Sequence, residues 1–133
     1  MIVFFDTCVH VDLLRGALPP DAVQQRVSGP IRLSPVVASE LLRGARGNAR
    51  AAVEQLIDRL QPIEPPSWRN AFLEAGRLLP DVFAHHEALG LAKLQTDVLL
   101  ALTARHTGAR LVTRDAHFTA LRDRVPFECV VLA

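Results

Sequence analysis

The sequence predicts an α/β fold with a mainly parallel sheet of about five strands, covered by helices on both faces. Three observations lead there. Short apolar runs alternate with longer stretches of helical period along the 133 residues. The first run, Ile2–Phe5, is apolar at every position, as in a strand buried on both faces. The Pro-rich stretches "ALPPD" (17–21) and "PIEPPSW" (62–68) are short. They read as loops within one domain, residues 1–133, and not as linkers.

Strands are expected at Ile2–Phe5, Ile31–Ser34, around Gln61–Ile63, at Arg110–Thr113 and at Phe127–Leu132. Helices fill the intervals. "PVVASELLRGA" (35–45) has Pro35 at its start and Gly44 near its end, the usual asymmetry of a helix. "AAVEQLIDRL" (51–60) places Val53, Leu56, Ile57 and Leu60 on one face. Residues 67–79 carry Trp68, Phe72 and Leu79 at helical spacing. "LQTDVLLALTARHTG" (94–108) is apolar almost all round from Val98 to Ala104 and stops at Gly108. Right-handed crossovers then place helices on both faces of the sheet.

Half of the residues are hydrophobic, enough for a real core. No apolar run approaches the roughly 20 residues needed to span a bilayer, and no secretory signal is evident. Cys8 and Cys129 lie near opposite ends with no metal-type spacing, so they read as reduced thiols of a cytoplasmic protein. The net charge of +1 excludes a protein that coats nucleic acid non-specifically, but not one with a local groove. Arginine supplies nearly all the positive charge, Lys93 being the only lysine. Arginine is the better residue for forked contacts to phosphate.

Four acids stand out by position. In open α/β sheets ligands bind beyond the carboxyl ends of the strands. Asp6 follows the first strand directly, and Asp115 lies just after "RLVT". Glu40 is in the helix after the second strand. Asp97 is expected in the first turn of an apolar helix, with Thr96 as its cap. Each has a plainer role available: Asp6 and Asp115 as helix N-caps, Glu40 paired with Arg43, Asp97 favouring a helix dipole. Converged on one edge, however, four carboxylates repel one another, and a hard divalent cation resolves this. An acidic cluster of this kind suits phosphodiester hydrolysis by metal-activated water. Asp12 is expected to be solvated, and Asp81, after Pro80, to sit in a turn. His85 and His86 read as exposed loop residues.

The pieces "IVFFDTCVHVDLL", "LSPVVASELLRGA", "QTDVLLALTARHTGARLVT" and "TRDAHF" together resemble PIN-domain ribonucleases of the VapC toxin type. They occur in that family's order and cover most of the chain, and "FECVVL" resembles its closing strand. The resemblance implies a PIN-like three-layer α/β/α fold and Mg²⁺- or Mn²⁺-dependent endonucleolytic cleavage of RNA. It assigns Asp6, Glu40, Asp97 and Asp115 as catalytic acids, with Asp6, Asp97 and Asp115 as metal ligands. Thr113, and Thr7 beside Asp6, would orient the cluster. It further implies a homodimer and inhibition by a cognate antitoxin. Many relatives carry another Asp two positions after the one matching Asp115; here that residue is His117. His117, Arg15, Arg43 and Arg46 are the candidate RNA contacts.

Two other readings remain open at this level. A phosphatase with an Asp6 nucleophile would need a second acid where Cys8 stands. A non-catalytic module of the same fold would dimerise and hold an antitoxin or nucleic acid without cutting it. Metal binding separates that module from the nuclease; dimerisation does not.

Overall fold

Val3, Phe4 and Phe5 form the first strand, and all three are buried. In the computed structural model, which describes residues 1–83 and 90–132, their side chains alternate between two cores. Phe4 joins the larger one, with Val37, Leu56, Leu79 and Leu100, while Val3 and Phe5 join a smaller one, with Val9, Val23 and Leu132. An unbroken apolar run is therefore what this strand requires, since both faces are covered.

The elements run β1 (Val3–Phe5), α1 (Thr7–Leu14), α2 (Pro20–Gln24), β2 (Ile31–Arg32), α3 (Pro35–Gly44), α4 (Gly47–Arg59), α5 (Trp68–Val82), α6 (Leu91–Thr107), β3 (Arg110–Thr113), α7 (His117–Arg122) and β4 (Glu128–Val131). The described sheet has four strands in the order β2-β1-β3-β4. All its pairings are parallel, with Phe4 opposite Arg32 and Leu111, and Val112 opposite Val130. Chain order reverses about β1: the chain first steps outward to β2, then crosses back to β3. That is a topological switch point, where neighbouring strand ends diverge and leave a crevice. The segment expected as a further strand, around Gln61–Ile63, meets Leu33 in a single parallel bridge. Leu33 N–H donates to Gln61 O (2.9 Å) and Ile63 N–H to Leu33 O (3.0 Å). Pro62 offers no donor to extend the ladder.

Helix positions follow the periodicity, with shifted ends. α4 begins at Gly47 and α6 at Leu91, earlier than the expected starts at 51 and 94. α5 runs through Pro80 to Val82, so Asp81 is helical instead of lying in a turn. A proline there removes only one bond of the helical ladder, while Leu79 and Phe83 remain buried and Phe83 N–H still donates to Leu79 O (3.0 Å). The buried stripe of α5 is Ala71, Ala75 and Leu79; Phe72 faces out at 46% exposure. The alanines let α5 lie close against α6, whose residues from Val98 to Ala104 are all buried. Among the described residues, no helix is long and apolar enough to cross a membrane. Both cysteines are free thiols. His85 and His86 lie outside the described residues.

Candidate metal centre at the β1–β3 crevice

Asp6 is placed by the sheet. Its N–H donates to Val112 O (2.9 Å), which continues the β1–β3 ladder one residue past Phe5. Its backbone is still extended, and its Oδ1 accepts from Thr7 N–H at 2.7 Å, capping α1. Capping and site membership therefore coexist in one carboxylate. Its other oxygen, Oδ2, accepts the Thr113 hydroxyl at 2.8 Å. Asp6 and Thr113 are both buried, at 5% and 0% exposure.

Thr113 ends β3 and connects two acid-bearing segments. Its Oγ1, while donating to Asp6, accepts Asp115 N–H at 3.0 Å. Asp115 in turn accepts His117 N–H on Oδ1 at 2.9 Å, fixing the start of α7. Glu40 reaches in from α3, where its Oε1 accepts the Thr7 hydroxyl at 2.8 Å. Its other oxygen is 3.8 Å from the Arg43 guanidinium, a loose i,i+3 pair on a largely exposed arginine. Glu40 is thus tied more closely to the site than to its own helix face.

Asp97 lies in the second turn of α6, because the helix starts at Leu91; the Thr96 hydroxyl donates back to Ala92 O and caps nothing. The Asp97 side chain is 2% exposed. Burial first, then the charges of Asp6 and Asp115, push its pKa up to about 7 against the opposing pull of Lys93. Asp115 shows the reverse balance: burial opposes its ionisation, yet the His117 amide and the Lys93 ammonium hold its carboxyl below the usual value.

Lys93 was not anticipated from the sequence. Its Nζ lies 3.0 Å from Asp115 Oδ2 and 3.5 Å from Asp97 Oδ2. Burial alone would lower its pKa, but the facing carboxylates raise it on balance, so it is a fixed positive charge. The i,i+4 relation to Asp97 was the available signal; it was hidden because the apolar pattern placed the start of the helix after residue 93. Arg114 and Asp12 form another unanticipated contact (2.6 Å) on the rim of the same cleft, so Asp12 is paired and not merely solvated.

Asp6, Thr7, Glu40, Lys93, Asp97 and Asp115 line one open cleft of about 740 Å³. Arg43 also reaches it, and Cys8 lies on its wall with Sγ 3.5 Å from Asp6 Oδ2. Arg15 instead lines a neighbouring groove between α1, α3 and α4. Arg46 is exposed just before α4 and does not line the cleft. His117 stands behind Asp115 with its Nδ1 buried, 3.5 Å from Asp115 Oδ1 and without a hydrogen bond.

The donor set fits a hard or borderline divalent ion. Asp97, Asp115 and His117 each offer a ligand atom within 4.8 Å of the others. Two carboxylate oxygens and an imidazole nitrogen suit Mg²⁺ weakly and Mn²⁺ better. Four carboxylates converge here and Lys93 lies between two of them, with Arg43 and Arg114 at the rim; the Asp6 and Asp115 charges add to the burial that raises the Asp97 pKa.

The family profile described as "PIN domain" matches residues 3–123. The fold is similar to that of VapBC-1 from nontypeable Haemophilus influenzae, with a TM-score of 0.70, 19% identity, and coverage of 99% of this chain and 98% of that one. It is also similar to the DNA-bound VapBC from Salmonella typhimurium, with a TM-score of 0.69, 20% identity and coverage of 100% and 99%. A third likeness is to VapBC2 from Rickettsia felis, bound to a DNA fragment from its promoter, with a TM-score of 0.64, 18% identity and full coverage of both chains. No curated protein matches the sequence.

Proposed function

The chain belongs to the PIN-domain family, and from that premise we propose that it is a metal-dependent endoribonuclease acting as the toxin of a toxin–antitoxin pair. The observation that carries this reading is the convergence of Asp6, Glu40, Asp97 and Asp115 on one crevice at the β1–β3 switch point. Such a cluster is unfavourable as a purely structural device, because each added carboxylate raises the energy of the others. Its chemistry becomes useful when a divalent cation is held there.

Asp6, Asp97 and Asp115 are the ligands in this reading, with Mg²⁺ or Mn²⁺ as the ion. The bound ion supplies Lewis-acid polarisation of a phosphoryl oxygen and lowers the pKa of a water. The chain's own residues do the rest. Thr113 holds Asp6 and Asp115 in register, and the Thr7 hydroxyl holds Glu40 over the cleft. Arg43 at the rim offers a donor fork to the RNA backbone; Arg15 and Arg46 lie outside the cleft and contribute less to that contact. His117 orients Asp115 from behind through its amide.

Attack by water leaves a 5′-phosphate and a 3′-hydroxyl. The VapBC names of the similar structures fit a toxin held by an antitoxin, and the groove between α1, α3 and α4 beside the cleft is the face we assign to that partner. A homodimer and a cytoplasmic location complete the proposal.

The test is incubation of the purified chain, free of antitoxin, with total cellular RNA in Mg²⁺, Mn²⁺ or EDTA, beside Asp6→Asn. Discrete metal-dependent cuts that vanish in the variant are expected. Equal cutting by the variant or in EDTA would remove the nuclease reading, and products ending in a 2′,3′-cyclic phosphate would remove the water attack.

A further inference from the structure

Lys93 occupies an unusual place for the chain's only lysine. All other side-chain cations apart from histidine are arginines, whose broad planar forks suit phosphates and paired carboxylates. An ammonium is instead a compact point charge with three rotatable donors, close in shape to a small hydrated cation. Lys93 directs that charge at two acids at once, Asp115 at 3.0 Å and Asp97 at 3.5 Å. These are two of the three residues, with His117, whose ligand atoms lie within 4.8 Å of one another. The ammonium therefore sits on the oxygens best placed to bind a divalent ion.

Two cations cannot share those oxygens without strong repulsion at contact distance. The stem of Lys93 leaves it free to move away. It projects from the first turn of α6, one turn before Asp97, and its side chain is 56% exposed on the wall of the open cleft. Asp97 and Asp115 have no such freedom: one is buried in the packed helix, the other is tied by the Thr113 hydroxyl and the His117 amide.

We propose that Lys93 is a tethered counter-ion that competes with a divalent metal for Asp97 and Asp115, and that on being displaced it turns its ammonium to the phosphate of the bound RNA. The inference rests on the metal-dependent nuclease reading and adds a device to it. Ion binding is weakened by the internal cation, so the site fills only when the divalent ion is plentiful. The same charge then becomes available to the substrate in the cleft.

The test is titration of the full chain with Mn²⁺ at fixed pH, by calorimetry and by the electron paramagnetic resonance signal of free Mn²⁺. Lys93→Met is expected to bind Mn²⁺ about tenfold tighter than the wild type or more, whereas Lys93→Arg, which keeps the charge, stays near the wild type. At saturating Mn²⁺, Lys93→Met is expected to cleave RNA more slowly despite its tighter ion. A side chain that merely supported the fold would not produce that opposition. Lys93→Gln, also neutral, replaces the Met variant should the latter fail to fold. Equal or weaker Mn²⁺ binding by the neutral variant would overturn the inference, as would identical behaviour of the Met and Arg variants. Wild type and variants that all fail to bind Mn²⁺ would instead overturn the metal-dependent reading beneath it.

Discussion

The Thr113 hydroxyl donates to Asp6 Oδ2 at 2.8 Å and accepts Asp115 N–H at 3.0 Å, so one buried oxygen sets the distance between the ends of β1 and β3. Thr113→Val keeps the shape and the strand preference but removes both bonds. Asp6 then loses a donor in a buried setting, and the Asp115 amide loses its acceptor. Losing such a bond with a partner left buried costs about 1–3 kcal/mol. Ligand-orienting contacts of this kind are worth roughly 10–100-fold in metal affinity or activity. Thr113→Ser should recover most of both. Thermal melting and Mn²⁺ titration of the two variants check the prediction.

Asp97 makes the apo protein sensitive to pH in a defined direction. Its pKa rises from 3.8 to about 7, chiefly by burial. An acid whose folded pKa is raised favours the folded state most while it is protonated there. That contribution is present in full below the unfolded value and is lost as pH rises toward 7. The span corresponds to a few kcal/mol at most. Asp97→Asn should therefore stabilise the metal-free protein near pH 8 while abolishing the stabilisation conferred by Mn²⁺. Because an ion must displace the Asp97 proton, wild-type Mn²⁺ affinity should rise between pH 6 and pH 8, by about tenfold per unit at its steepest. Melting curves with EDTA and with Mn²⁺ across that range separate the two effects.

His10 gives the opposite slope over nearly the same pH range. It is buried in α1 against Phe5, with ring centroids 5.2 Å apart, and its Nε2 has no hydrogen-bond partner. Burial first, with the Arg59 charge adding to it, lowers its pKa from 6.5 to about 4. The unfolded chain then takes up a proton that the folded chain refuses. The His10 contribution to stability falls as pH drops from 6.5 toward 4, by about 3 kcal/mol over the span, against the rise from Asp97. His10→Phe keeps the aromatic packing and should gain stability relative to the wild type as pH falls in urea melts at pH 7, 5.5 and 4.5. A difference from the wild type that stays constant with pH would remove His10 as an acid-sensitive group.

Much of this architecture is legible in the sequence because its signals are local. Ile2–Phe5 declares a doubly covered strand by its composition, and Asp6 follows without a spacer. The Glu40, Asp97 and Asp115 segments carry recognisable neighbours. What could not be read depends on tertiary contact. Phe72 has helical spacing with Leu79, yet the small Ala71 and Ala75 form the buried stripe, since close approach to α6 favours small residues there. Gln61–Ile63 has strand-like chemistry but, among the described residues, pairs with Leu33 alone. Lys93 was missed because the helix was expected to begin at Leu94, one residue after it. The Arg114–Asp12 contact joins residues 102 positions apart, which no periodicity reveals.

The basic rim should divide into unequal parts. Arg43 lines the acid cleft, at 73% exposure, and is held only loosely by Glu40 at 3.8 Å, so it is free to turn to a phosphate. Arg46 lies outside the cleft, and Arg15 faces the groove between α1, α3 and α4. With cleavage suppressed by Asp6→Asn, Arg43→Ala should weaken RNA binding and reduce the slope of log affinity against log salt by about 0.7, the value for one phosphate contact on a single strand. Arg46→Ala and Arg15→Ala in the same background should change the slope less, because a residue that never reaches the backbone releases no counter-ion from it. Fluorescence anisotropy with a labelled RNA over a salt series measures all three. Equal slope changes at the three arginines would mean that RNA runs along the whole α1–α3–α4 edge, and that the groove assigned to the antitoxin is shared with substrate.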